Sequence, residues 1–176
     1  LPNVILAVLD GAWDEASYST LQANSAMPVA DWRIEFSVQG EGADSLYQGA
    51  HTSPDVIAAW VQVAEKLGDT EEIQLVPAAI AEIPQIASLL ANYQDNGSLI
   101  IYVTTSVGEA WRRLGLNQPG VPVGLGPIRA TWLALNRART EAWQQTGAII
   151  IDSSHCEVSG QTEAIFSAIR AKISAS

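Results

Sequence analysis

The sequence predicts one three-layer α/β/α domain built on a mostly parallel sheet. Three observations carry that expectation. The runs Val4-Ile-Leu-Ala-Val-Leu9, Leu99-Ile-Ile-Tyr-Val103 and Ala148-Ile-Ile-Ile-Asp152 are apolar with almost no alternation, as strands covered on both faces are. Segments of helical period stand between them, the pattern of strand–helix–strand units. Finally, 176 residues with 48% hydrophobic and 16% charged side chains suit a single folded domain over 1–176, long enough to bury a core without metals or disulfides.

Taken in order, the first run ends at Asp10-Gly11, a strand followed by a turn, and 12–24 is a weakly patterned helix. Trp32, Ile34, Phe36 and Val38 alternate with polar residues, so 32–38 reads as a half-covered strand. Ser53-Pro54-Asp55 opens a helix over 53–67 with a cap, a first-turn proline and a negative charge, and Val56, Trp60, Val63 and Leu67 make its buried stripe. Ile73-Gln-Leu-Val76 is a short strand before Pro77. Ile83, Ile86, Leu90 and Tyr93 recur at helical spacing until Asn96-Gly97. After the strand ending at Val103 comes a short helix to Arg113. Residues 115–127 then hold four glycines and three prolines, which marks a long loop, and such loops in compact domains often serve as lids. A helix over 128–145 buries Ile128, Trp132, Leu135 and Trp143, and a last helix over 160–173 buries Ile165, Phe166, Ile169 and Ile173.

Composition narrows the function classes. The net charge is −10, with fifteen Asp/Glu in residues 1–110 against only Arg33 and Lys66. Such a surface repels polyphosphate backbones and anionic lipid, which argues against nucleic acid and membrane as partners. No apolar run approaches the roughly 18–20 residues of a membrane span. Residues 1–10 lack the basic flank of a secretion signal. Cys156 is the only cysteine and His51 and His155 the only histidines, so no cysteine metal cluster or internal disulfide is expected, and a reducing cytoplasm fits.

In an open parallel sheet the ligand lies off the carboxyl ends of the strands. Those ends carry Asp10, then Thr104, Thr105 and Ser106, then Asp152, Ser153 and Ser154. Asp10 and Asp152 are the candidate acid–base or metal-ligating groups; the same residues also suit plain helix capping. His155 beside Cys156 invites a nucleophile reading, but adjacent residues on an extended chain point apart. Asp10 with Asp14 is a candidate Mg²⁺ pair, with no second acidic pair to reinforce it. Arg112, Arg113 and Arg129 flank the 115–127 loop, and Arg137 and Arg139 follow. Arginine's planar fork matches carboxylate and phosphate, so Arg112, Arg129 and Arg139, with Thr104, Thr105 and Ser153, form the candidate clamp for a small anionic ligand. No motif specifies a cofactor.

One family shows this arrangement of parts. The strand to Val103, Trp111-Arg-Arg113, the loop 115–127, Arg139 four residues before Trp143, Ile149-Ile-Ile-Asp152 and the helix 160–173 together resemble the second half of the P-loop small-molecule kinases, shikimate kinases in particular. The stretch concerned is 98–173, and Asp31-Trp-Arg-Ile-Glu35 is similar to the family's acidic segment after its second strand. A P-loop places glycine N–H groups, a lysine and a hydroxyl on the phosphates. This chain has Asp10-Gly-Ala-Trp-Asp-Glu-Ala-Ser17 after its first strand and no lysine before Lys66. The resemblance with that departure implies a kinase-like domain with a degenerate P-loop, acting as a binding or protein-interaction module. The alternative is an enzyme acting on a small anionic metabolite through Asp10 or Asp152 and the arginines.

Overall fold

The computed structural model describes residues 2–8, 12–13, 15–38, 54–68, 70–114, 125–154 and 157–175, with the side chains of 37, 38, 107, 111, 113, 114, 125–132 and 135 outside that description. Its elements in chain order are β1 (Val4–Val8), α1 (Glu15–Asn24), β2 (Val29–Asp31), α2 (Arg33–Val38), α3 (Pro54–Ala64), β3 (Ile73–Pro77), a 3₁₀ turn (Ala78–Glu82), α4 (Pro84–Asp95), β4 (Leu99–Thr104), α5 (Val107–Leu114), α6 (Leu125–Gln145), β5 (Ile149–Asp152) and α7 (Val158–Ala175).

The five strands are all parallel, in the order β2-β3-β1-β4-β5. β1 lies at the centre with Val4 in register with Ile73 on one side and Leu99 on the other. Every residue of β1 and β3, and all of β4 except Thr104, is buried. Because successive side chains in a strand face opposite sides, continuous burial means that both faces of the sheet are covered. α1 packs against α7, α3 against α4, and α6 against the 3₁₀ turn and β4. The three-layer parallel architecture is therefore the one the apolar runs predict. Among the described residues, no helix is long and apolar enough to cross a membrane.

Local chemistry sets the boundaries. Trp60 is fully buried, donates its indole N–H to the Phe36 carbonyl at 2.9 Å, and meets the Phe36 ring edge-on, which holds α3 against α2. α4 ends where the Ser98 N–H reaches back to the Tyr93 carbonyl and Gly97 takes φ +100°, a conformation that glycine alone adopts without strain. At the amino-terminal ends of the strands, Asn3 and Gln74 both donate to the Leu67 carbonyl at 2.8 Å.

Four expectations need correction. Residues 33–38 are helix, not strand: Trp32 N–H bonds the Leu75 carbonyl as the last rung beside β3, and Phe36 N–H then bonds Trp32 O. The apparent alternation misleads because Phe36 is buried while Ile34 is 64% exposed, so they do not share a face. β5 is an edge strand rather than a fully buried one, with Ile149 and Asp152 exposed. α6 begins at Leu125 and takes in the last three residues of the expected loop, since Pro127 falls in the first turn where its missing N–H costs nothing. In α7 only Ile165 and Ile169 of the expected stripe are buried; Phe166 is half-buried and Ile173 exposed. The 3₁₀ turn lies in an apolar run with no helical period to announce it. The rest of the 115–127 segment, and the cap at Ser53, lie outside the described residues.

Candidate functional site

Because all strands run the same way, their carboxyl ends meet at one edge. There Thr104 pairs in register with Asp152, and Ser153 N–H donates to the Thr104 carbonyl at 2.8 Å. The structure thus brings together Thr104, Thr105, Asp152 and Ser153, four of the residues the sequence singles out. Asp152 accepts from the Ser154 backbone N–H at 2.9 Å and from the Ser154 hydroxyl. Ser154 in turn accepts from Ser106 N–H at 2.7 Å and from Thr105 Oγ1 at 3.4 Å. Here Asp152 closes the turn after β5.

Ser153 reaches further. Its hydroxyl, fully buried, donates to the Ala12 carbonyl at 3.3 Å, and Gln161 Nε2 donates to the same carbonyl at 3.2 Å. Ser17 Oγ donates to Gln161 Oε1 at 3.2 Å. Ala12, between β1 and α1, is therefore bonded both to the residue that follows β5 and to α7. Asp10 and Asp14 in that link, and His51, His155 and Cys156, lie outside the described residues. The Trp13 and Trp143 rings are buried, and the Trp111 side chain is outside the description.

The arginines separate. Arg112 on α5 is exposed and forks onto Glu109 one turn before it, with Nε at 3.1 Å from Oε2. The Glu109 hydrogen bonds and charge raise the Arg112 pKa further above its ordinary value. Arg129 belongs to α6, and its side chain is outside the description. Arg139 is only 3% exposed, and its Nε stands 3.4 Å from Oε1 of Glu82, the last residue of the 3₁₀ turn after β3. Burial pushes the Glu82 carboxyl up from its ordinary 4.5, and the Arg139 charge and hydrogen bond offset part of that rise.

Around this pair lie residues that sequence reasoning missed. Tyr102, fully buried, stacks on Trp143 with ring centroids 5.8 Å apart. Burial raises its phenol; the nearby Thr104 and Thr140 hydroxyls pull it partway back, though neither reaches Oη with hydrogen-bond geometry. Both threonine hydroxyls instead donate to Asn136 Oδ1, at 3.1 and 3.4 Å. The one signal available in the sequence was Glu82 itself, a lone charge in the apolar stretch Val76-Pro-Ala-Ala-Ile-Ala-Glu-Ile83.

A third pair completes the edge. Asp31 at the end of β2 accepts from Arg33 Nε and Nη2, both at 2.9 Å, and from the Arg33 backbone N–H at 3.0 Å. Burial alone would raise the Asp31 carboxyl, but those bonds and the Arg33 charge outweigh it and hold the group below its usual 3.8. The Arg33 guanidinium also lies 5.8 Å from the Tyr18 ring centroid. Among the described residues, no three His, Cys, Asp or Glu side chains group as metal ligands.

No family model matches the chain, and no curated protein matches its sequence. Solved structures do match. The fold is shared with shikimate kinases. A shikimate kinase from Acinetobacter baumannii in complex with shikimate superposes with TM-score 0.71 at 14% identity, covering 97% of this chain and 94% of that one. A shikimate kinase from Bacteroides thetaiotaomicron gives 0.65 at 8% identity over 96% and 98% of the two chains. A gluconokinase from Sinorhizobium meliloti 1021 gives 0.63 at 9% identity over 98% and 94%. The likeness is one of fold, and it extends the resemblance from 98–173 to nearly the whole chain.

Proposed function

We propose that this chain is a kinase-fold protein that does not transfer phosphoryl groups and works as a binding or protein-interaction module. The observation that carries the reading is the self-neutralised carboxyl edge. Arg33, Arg112 and Arg139 each face a carboxylate of the same chain: Asp31, Glu109 and Glu82. Phosphoryl transfer relies on uncompensated positive charge around the phosphates. Here three described arginines near this edge already have anionic partners.

The sequence between β1 and α1 supports the same conclusion. It carries Asp10, Asp14 and Glu15, and phosphate beside three acids is repelled unless a metal intervenes. The first lysine, Lys66, adjoins Leu67, whose carbonyl is bonded at the opposite, amino-terminal end of the sheet.

The test is thermal denaturation with Mg·ATP, ADP, shikimate and gluconate, alongside an ATP-turnover assay. A ligand at a hundred times its Kd would stabilise the fold by about 2.7 kcal/mol. We expect no shift and no turnover; a nucleotide-dependent shift overturns the reading. A second reading, an enzyme acting on a small anionic metabolite through Asp10 or Asp152, is favoured by one feature. Arg112 is exposed and precedes the 115–127 segment in the sequence, and an exposed ion pair exchanges partners readily. That reading gains if a small anion shifts the midpoint and Arg112→Ala or Arg129→Ala removes the shift.

A further inference from the structure

We infer that two copies of this chain associate through the outer edge of β5, with strand against strand and α7 against α7 across a two-fold axis. The inference stands apart from the proposed function and holds whether or not the chain turns over ATP.

Among the described residues β5 pairs with β4 alone, on one side. Its sequence Ile149-Ile-Ile-Asp152 has neither the proline nor the lysine that commonly guards a sheet edge. Ser153 N–H points at β4, so by the alternation of a strand Ile150 turns its N–H and C=O to the outer side. Ile149, Ile151 and Ser153 share the face that α7 covers, since the Ser153 hydroxyl bonds the same Ala12 carbonyl as Gln161 of α7. Gln161 also meets Ser17 of α1, which sets that flank of α7 toward the middle of the sheet. Helical spacing then places Glu163, Phe166, Arg170 and Ile173 on the opposite flank, toward the β5 edge. Ile149 is 42% exposed and Ile173 43%, so two of the three large exposed apolar side chains among the described residues belong to this one edge.

The edge matches itself. In an antiparallel pairing centred on Ile150, that residue exchanges both backbone hydrogen bonds with its own copy. Ile149 lies opposite the partner's Ile151 and Asp152 opposite the partner's Ala148, so no like charges meet. The helices match as well. Ile150 lies three residues before Ser153, about 10 Å at about 3.3 Å per residue. Along α7, at about 1.5 Å per residue, that distance runs from Gln161 to near Ser167. A two-fold axis there sets Glu163 of one copy against Arg170 and Lys172 of the other. Within the chain Glu163 and Arg170 pair at 2.6 Å, 69% and 62% exposed, and such an exposed pair exchanges partners readily.

Electrostatics favours this edge over the other. Residues 1–110 hold fifteen of the nineteen Asp/Glu and supply β2, the opposite edge of the sheet. Residues 111–176, which supply β5 and α7, carry seven Arg/Lys against four Asp/Glu. Two chains of net charge −10 therefore repel less across β5 than across β2.

Sedimentation velocity over a range of protein concentrations tests this, and the mass should rise from one chain to two. Ile149→Lys and Ile173→Lys, each at an exposed position, should weaken the dimer about tenfold or more with the near-ultraviolet circular dichroism unchanged. Ile34→Lys, at the exposed apolar side chain away from this edge, should leave the equilibrium as it is. Arg170→Glu should weaken the dimer several-fold, and the E163R/R170E double variant, which restores opposed charges across the axis, should recover it. A wild type that remains one chain at about 1 mM overturns the inference, and so does a dimer that I149K and I173K leave intact. If I149K misfolds, the charge swap on α7 decides: loss in R170E with recovery in E163R/R170E supports the interface, and no change in either overturns it.

Discussion

Trp143 donates its indole N–H to the carbonyl oxygen of Ala78 at 2.9 Å, a buried bond that ties α6 to the 3₁₀ turn. The same ring stacks on Tyr102 of β4, so one side chain joins the three elements that surround Glu82 and Arg139. Trp143→Phe removes the bond, leaves the Ala78 carbonyl one partner short and opens a small void. We expect a loss of about 2–4 kcal/mol, read as a lower urea midpoint at unchanged slope. A variant within about 0.5 kcal/mol of wild type would show that this bond does not hold the turn.

The buried pair itself predicts an asymmetry between single and double replacement. Arg139→Ala leaves the Glu82 carboxylate buried without its cation, and should cost about 3 kcal/mol or more. Replacing both, as Glu82→Leu with Arg139→Met, removes two desolvated charges together and should bring the midpoint back to the wild-type value or above it. Urea unfolding of wild type, E82L, R139M and the E82L/R139M double variant forms a double-mutant cycle. A double variant as unstable as R139M would mean that Arg139 matters through contacts other than Glu82.

The unequal legibility of these features has a physical basis. β1 and β4 were readable because strands covered on both faces need unbroken apolar runs, and Val4-Ile-Leu-Ala-Val8 and Leu99-Ile-Ile-Tyr-Val103 supply them. Residues 32–38 mislead because Trp32, Ile34, Phe36 and Val38 alternate as in a strand, whereas the structure buries Phe36, leaves Ile34 exposed and bonds the Phe36 carbonyl to Trp60. β5 looked as apolar as β4, yet its place at the sheet edge depends on strand order, which local pattern does not encode. At the site, Thr104, Thr105, Asp152 and Ser153 were legible because a carboxyl-end rule exists for them. Glu82 was not, since its partner Arg139 lies far along the chain and only the packing of α6 on the 3₁₀ turn brings them together.

Asp31 predicts a separation of cap from charge. Its Oδ1 accepts the Arg33 backbone N–H at 3.0 Å, fixing the first turn of α2, while both oxygens hold the Arg33 guanidinium. Asp31→Asn keeps an acceptor for the backbone and loses the charge, and partly exposed pairs contribute little. We therefore expect D31N to fall within about 1 kcal/mol of wild type and D31A to lose about 1–2 kcal/mol. Equal losses in the two variants would assign the effect to the ion pair instead.

Glu82 and Asp31 pull stability in opposite directions as pH falls. The Glu82 carboxyl is raised above 4.5 in the folded chain by burial, so the folded state takes up a proton there before the unfolded state does. Stability then decreases as pH rises from about 4.5 through the folded value, and Glu82 favours the fold most when protonated. Asp31 is lowered below 3.8 through Arg33, after burial is overcome; its contribution is present above 3.8 and is lost as pH falls through the folded value. Glu82→Gln is permanently neutral and lacks the first effect. Urea midpoints of wild type and E82Q, followed from about pH 7 down to the Glu82 reference value of 4.5, should therefore draw together or cross in favour of the wild type on acidification. If the wild type instead loses stability relative to E82Q over that window, the carboxylate is better held by Arg139 than its burial implies.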